Sequence, residues 1–291
     1  MSIAETEKFE YEENWAFNAA YYQKQDCYEW MAAQLDQIKP RKVFDIGCGT
    51  GEGLSALRKR FSCNILSIDE NAYCLKKSAA IMRSLGARVQ TCQRYIYHDD
   101  QNGRHVISIK DSPITLSREV MLVQADILLP DELFMKFLLS KAPFDAVTIW
   151  LTGAYMGRQS CINLDPLNMR TFKEYRLHVQ NKTYSLAAQV LRSGGLLQVV
   201  DRGEMPNTQL LHDDLIAAHK EQASVTDLEV QEMKCIPYKE LSEGKGVRGV
   251  RMALSQGTSG RIPETIEYGM FSVLSRKPQS VWSKRSCVSR L

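Results

Sequence analysis

Asp45, Asp69 and Asp126 each stand at or just beyond the end of a short apolar run, and Gly47, Gly49 and Gly51 crowd the positions that follow the first of them. Carboxylates beside a glycine turn are equipped to hold a small charged ligand. The acid accepts hydrogen bonds or faces a cation, and glycine tolerates positive φ and lets a ligand approach the backbone. Asp69-Glu70 closes the run Asn64-Ile65-Leu66-Ser67-Ile68, 24 residues after Asp45. A carboxylate there can accept two hydrogen bonds from a ribose diol. It is equally an ordinary helix N-terminus residue, because carboxylates favour the positive end of the helix dipole. Glu70 and Asn71 are weaker candidates to flank a base. The glycines follow G-x-G-x-G, whereas dinucleotide sites use G-x-G-x-x-G, a register that would need glycine at Glu52. A pyrophosphate beside Asp45 would also crowd like charges, so a cationic ligand suits the turn better. The N–H groups at the start of the next helix are expected to face it.

Such residues need a scaffold, and the flanking pattern supplies one. Val43-Phe44-Asp45-Ile46 reads as a buried parallel strand, and Leu54, Leu57 and Phe61 recur at helical spacing after the turn. Strand, glycine turn and helix make the first unit of a doubly wound sheet. At this point the sequence resembles the class I S-adenosylmethionine-dependent methyltransferases, whose first motif has this acid-x-G-x-G-x-G form. The resemblance implies a Rossmann-like, seven-stranded, mostly parallel α/β sheet with helices on both faces. It implies S-adenosyl-L-methionine as cofactor, with contacts from Asp45, Gly47, Cys48, Gly49, Gly51, Asp69, Glu70, Asp126, Ile127 and Trp150. Asp126 is carried over as the acid that contacts the adenine amino group; read without the resemblance, it is an N-cap for the helix through Leu133, Phe134 and Phe137.

Residues 14–38 read as a helix stopped by Pro40, and its Trp15, Phe17, Tyr21 and Tyr22 serve as a lid or as a packing face. The predicted organisation is an N-terminal helical extension or lid over 1–39, the methyltransferase domain over 40–277 and a tail over 278–291. An Asn102-Gly103 turn between β-rich runs marks an inserted hairpin at about 87–120, read as decoration, substrate wall or oligomer contact. Further strands are expected at 121–124, 144–150, 196–201, 228–236 and 265–274, the last antiparallel by the resemblance. Helices are expected at 72–85, 169–191 and 206–222, with Gly194-Gly195 between the second of these and its strand as another point of likeness. Residues 239–263, rich in Gly, Ser and charge, read as a loop, and the tail as poorly ordered.

Composition excludes several classes. At 44% apolar and 24% charged residues the chain is an ordinary globular protein. A net charge of +3 does not advertise a nucleic-acid or membrane partner. No run reaches the roughly 18 apolar residues that span a bilayer, and the acidic start is no secretory signal. The eight cysteines form no C-x-x-C pair, so neither a disulfide framework nor a metal site follows, and a cytoplasmic location is expected. By the resemblance the chain transfers a methyl group in line to an O or N of a small molecule. Methylation of a protein or RNA, and a catalytically silent cofactor-binding subunit, stay open as alternatives, as does a homo-oligomer. Trp150-Leu151-Thr152-Gly153 stands where base-amine methyltransferases carry Asn/Asp-Pro-Pro-aromatic, which points away from nucleic acid. Trp150, Tyr155, Tyr21 and Tyr22 are candidates to line the acceptor. His212, Tyr155 and Asp201 are candidate bases, with Asp201-Arg202 also read as an ion pair at the sheet rim.

Overall fold

The computed structural model describes residues 2–152, 156–239 and 267–279. Tyr155, residues 240–266 of the expected loop and last strand, and the tail beyond Gln279 lie outside them. The first helix, α1 (Ile3–Lys24), starts well before residue 14 because Ser2 and Glu5 form a capping box. The Ser2 hydroxyl accepts from the Glu5 N–H at 3.1 Å and the Glu5 carboxylate from the Ser2 N–H at 2.8 Å. It ends where Asp26 turns left-handed at φ 56°, a conformation Asp tolerates better than most residues, and α2 (Cys27–Ala33) follows.

The remaining elements are β1 (Lys42–Ile46), α3 (Glu52–Phe61), β2 (Asn64–Asp69), α4 (Ala72–Ser84), β3 (Val89–Cys92), β4 (Tyr95–Asp99), β5 (His105–Ile109), β6 (Val120–Gln124), α5 (Glu132–Lys141), β7 (Phe144–Trp150), α6 (Phe172–Val190), β8 (Leu191–Glu204), α7 (Gln209–Ala223), β9 (Glu229–Pro237) and β10 (Tyr268–Arg276). Two 3-10 turns, Met156–Ser160 and Ile162–Leu167, lie between β7 and α6. The main sheet runs β3-β6-β2-β1-β7-β8-β10-β9. Its strands are parallel from β3 through β8, and β10 is antiparallel to both its neighbours. The expected sheet is therefore present with eight strands instead of seven. The eighth is β3, an edge strand drawn from a stretch read as pure insertion, with Val89 and Thr91 opposite Val120 and Leu122.

The central strands are buried on both faces, which is why they read as continuous apolar runs. Alternate side chains feed two cores. Phe44 and Ile46 pack with Leu66, Phe144 and the inner faces of α5 and α6. Val43 joins Ile65, Leu57, Met31 and the inner faces of α1 to α4.

The hairpin β4–β5 stands apart from the main sheet as a two-stranded ribbon. It is more than decoration. The Tyr95 hydroxyl accepts the Asp126 N–H at 2.6 Å, the Tyr97 hydroxyl reaches the Glu70 carbonyl at 3.3 Å, and the Ile107 N–H donates to Asn163 at 2.7 Å. The ribbon therefore props two strand ends and the second 3-10 turn. Asp201 does form an ion pair, but with Arg176 on α6 rather than with Arg202. Arg202 donates to the Tyr22 hydroxyl and stacks on Trp15. Among the described residues no helix is long and apolar enough to cross a membrane.

Candidate functional site

Successive parallel strands end along one rim of the sheet, and ligands bind outside the carboxyl ends of such strands. Here β1 lies between β2 and β7, so the loops after all three, with the one after β6, border a single cavity. Asp45, Asp69 and Asp126 all line it, as do Gly47, Cys48, Gly49, Glu70, Ile127 and Trp150.

Asp69 is the best-placed acid. One oxygen accepts the Gly49 N–H and the other the Asn71 N–H, each at 2.9 Å. Each oxygen keeps a further lone pair for the cavity. Burial pushes this carboxyl up to about 6 against the pull of those two donors. Asp45, at the end of β1, is turned sideways: its oxygens accept the hydroxyls of Ser67 and Thr148, each at 2.7 Å. Burial lifts it to about 6 as well. Asp126 accepts the Leu128 N–H at 2.9 Å, an Asx turn rather than a helix cap. The cap of α5 is Asp131, which accepts the Phe134 N–H at 2.9 Å and is gripped at 2.6 and 2.8 Å by the buried Arg94.

The glycines divide by role. At Gly49 (φ +51°) an added Cβ would lie 2.5 Å from the Trp15 indole nitrogen, so this position admits only glycine while α1 is seated. Gly51 (φ +103°) does not line the cavity. A Cβ there would meet the Ser78 backbone at 2.7 Å, so it lets α3 pack against α4. The loop N–H groups are also less open than expected, since Gly47 donates to the Ile68 carbonyl at 2.8 Å and Gly49 to Asp69. Trp150 is fixed within the wall by its bond to Gln198 at 3.0 Å.

Two cations sit among these acids. Lys8, from α1, is buried and ion-paired with Glu70, and its ammonium lies 5.0 Å over the Tyr97 ring. Burial, with Arg158 adding repulsion, holds its pKa well below the usual lysine range. Arg158, from the first 3-10 turn, pairs with Asp126, approaches Glu70 at 3.5 Å and stacks on Tyr175 with 4.8 Å to the ring centroid. Tyr11 and Trp15 of α1 complete the lining. With α1 seated, the free volume is about 100 Å³. Small-molecule sites begin at roughly 300 Å³, and Tyr11 and Trp15 of α1 are among the side chains that fill the remainder.

No family model matches the chain, and no curated protein does. Solved structures that match it include the N-methyltransferase NodS from Bradyrhizobium japonicum, at 10% identity over 85% of this chain and 94% of that one, with a TM-score of 0.42. Others are a Bacillus halodurans protein described as a methyltransferase (14%, 85% and 99%, TM-score 0.45) and a geranyl diphosphate methyltransferase in complex with GPP and sinefungin (10%, 87% and 78%, TM-score 0.43). The strand order itself, parallel from β3 through β8 with β10 inserted antiparallel beside β8, is that of a Rossmann-like α/β sheet. These superpositions are loose, and the functional reading rests on the site's own residues.

Of the sequence candidates, Tyr21 and Tyr22 do not line the cavity. Tyr22 is fully buried, accepting from Asn18 at 3.1 Å and from Arg202. His212 lies on α7 beside Asp213, away from the cavity lining, and Tyr155 is outside the described residues. Asp201 borders a separate small cavity, where Arg176 and Gln180 engage it. Lys8, Tyr11, Arg158 and Tyr175 were not anticipated. The first two were within reach: once the capping box fixes the start of α1, residues 8, 11 and 15 fall on one helix face. Arg158 carries no comparable signal.

Proposed function

We propose that the chain is an S-adenosylmethionine-dependent methyltransferase acting on an O or N of a small-molecule acceptor. The observation that carries this is the Asp69 carboxylate, which ends β2, holds the glycine loop by the Gly49 N–H, and keeps acceptor capacity toward a cavity lined by three more acids. Four carboxylates against two cations fit a ligand that is a nucleoside and carries positive charge. In this reading Asp69 takes the ribose hydroxyls, Glu70, Asp126 and Ile127 border the adenine, and Gly47, Cys48 and Gly49 border the amino-acid part. Asp45 borders the same cavity at the base of the glycine loop and is itself held by the hydroxyls of Ser67 and Thr148 on the neighbouring strands.

When bound, the cofactor would supply an activated methyl group on a sulfonium, with the thioether as leaving group and the acceptor's proton passing to solvent or a base. The protein's part is to orient the acceptor in line and exclude water, which accounts for a large share of the rate without a catalytic side chain. In this reading α1, which sets Tyr11 and Trp15 against the cavity, yields volume as the site fills. The wall around the site is largely aromatic and aliphatic, with Trp15, Trp150, Tyr175 and Val179, and suits a small acceptor. Label transfer from methyl-tritiated cofactor into fractionated cell extract tests the reading. Label in the small-molecule fraction supports it, label in protein or RNA replaces the acceptor class, and no label in any fraction favours the silent subunit.

A further inference from the structure

Both cations at the rim cavity are already committed, Lys8 to Glu70 and Arg158 to Asp126 and the Tyr175 ring. Asp45 and Asp69, by contrast, are held among the described residues by hydroxyl and N–H donors and not by ion pairs. Four acids on the lining against two cations leave a surplus of two negative charges. Just outside the lining the signs cancel: Arg202 lies behind Trp15, 5.9 Å from its ring, and the Glu52 carboxylate acts on Tyr28. A sulfonium nucleoside with an ammonium and a carboxylate on its arm brings one net positive charge. One negative charge is then left over in a largely buried space, where desolvation already pushes Asp45 and Asp69 up to about 6.

Two further observations bear on what could balance it. Among the described residues no histidine lines the cavity. A hydroxyl acceptor must hand its proton to a base as it reacts, whereas an amine can release one to solvent beforehand and react with its free lone pair. The wall is also aromatic, with Tyr11, Trp15, Tyr28, Trp150 and Tyr175 on it. Two of these rings already have a guanidinium over them, Arg158 on Tyr175 and Arg202 on Trp15. Ring faces of this kind attract cations, ammonium groups included.

We propose that the acceptor is an amine that docks as its ammonium ion against this acidic, aromatic wall, so that the methyl group goes to nitrogen. This rests on the cavity being the cofactor site. The docked ammonium gives one proton to solvent, its nitrogen lone pair forms the bond to the methyl carbon, and the C–S bonding pair is left on the departing thioether. The positive charge thereby passes from sulfur to nitrogen, and the N-methylated product leaves as an ammonium ion. A carboxylate or phosphate acceptor would add to the surplus of negative charge and is disfavoured.

Calorimetry on the full-length protein tests this with benzylamine, its neutral isostere benzyl alcohol, and benzoate, each titrated in the presence of saturating S-adenosylhomocysteine. Benzylamine is expected to bind at least about fivefold more tightly than benzyl alcohol, and benzoate more weakly than either. Asp45→Asn removes one of the surplus charges while its amide can still bond Ser67 and Thr148, so it should shrink the advantage of benzylamine by at least about twofold. The wild-type comparison decides even if that variant does not fold. Equal affinity for benzylamine and benzyl alcohol, tighter binding of benzoate, or an advantage undiminished in folded Asp45→Asn overturns the amine acceptor alone. Failure of the wild type to bind S-adenosylhomocysteine overturns the cofactor reading and the amine acceptor with it.

Discussion

Asp69 joins the glycine loop to the end of β2 through two backbone N–H groups, so its role is both structural and electrostatic. Hydrogen bonds to a charged acceptor contribute about 1.5–3 kcal/mol each. Losing those to a ribose diol should weaken binding by at least about tenfold. Asp69→Ala is accordingly expected to reduce S-adenosylhomocysteine affinity by that factor in calorimetry, and unchanged affinity would remove the ribose role. Asp45 and Asp69 also set a pH dependence. Burial raises both from the usual carboxylate range to about 6. A carboxyl raised on folding contributes stability that is fully present below its unfolded pKa, near 4, and lost as pH rises through about 6. The ligand-free protein should therefore lose stability between about pH 4 and 7, while affinity for the cationic cofactor should rise over the upper part of that window. Thermal shifts by S-adenosylmethionine at about pH 5 and pH 7.5 check this, on either side of the shifted carboxyls. A larger shift at the lower pH would contradict it.

At the scale of elements, α1 decides whether the site is open. Lys8 neutralises Glu70 beside the cavity, so Lys8→Met should make the site more negative and tighten binding of the cationic S-adenosylmethionine about fivefold, a coupling of about 1 kcal/mol. Weaker binding would instead make Lys8 a ligand contact. The hairpin side of the site hangs on Arg94 and Asp131. Arg94→Met leaves a buried carboxylate unpaired and should destabilise by about 3–5 kcal/mol in denaturant unfolding; a change below about 1 kcal/mol would show that water relieves the charge. Much of this level was legible in the sequence. The β1 turn, the strand ends at Asp69 and Asp126, and the hairpin turn at Asn102-Gly103 each have local causes, which the residues themselves display. The start of α1 was misplaced because the reading began with the dense aromatics from Trp15 onward, although Phe9 and Tyr11 precede them and the cap lies at Ser2. Strand β3 was hidden because a four-residue edge strand carries little periodicity. Arg158 was invisible, since only tertiary structure brings a 3-10 turn onto the ends of β2 and β6.

For the whole molecule, the sheet order gathers acids that are far apart in sequence at one rim, then lays a helix from the chain's start across them. On the proposed function, entry of a ligand is coupled to displacement of α1, whose Tyr11 and Trp15 line the cavity. Hydrogen exchange should report this: a saturating nucleoside is expected to alter protection across residues 3–24 while β1 and β7, buried at the sheet's centre, stay unchanged. The claim beneath all of it is that the rim grips an adenosine with a charged amino-acid arm and not a dinucleotide. Titration calorimetry of S-adenosylhomocysteine and of NAD into the full-length protein addresses it directly. One-to-one binding of the first, lost in Asp69→Ala, with no heat from the second is the predicted result; NAD binding with equal or greater affinity, or no heat from S-adenosylhomocysteine, would contradict it.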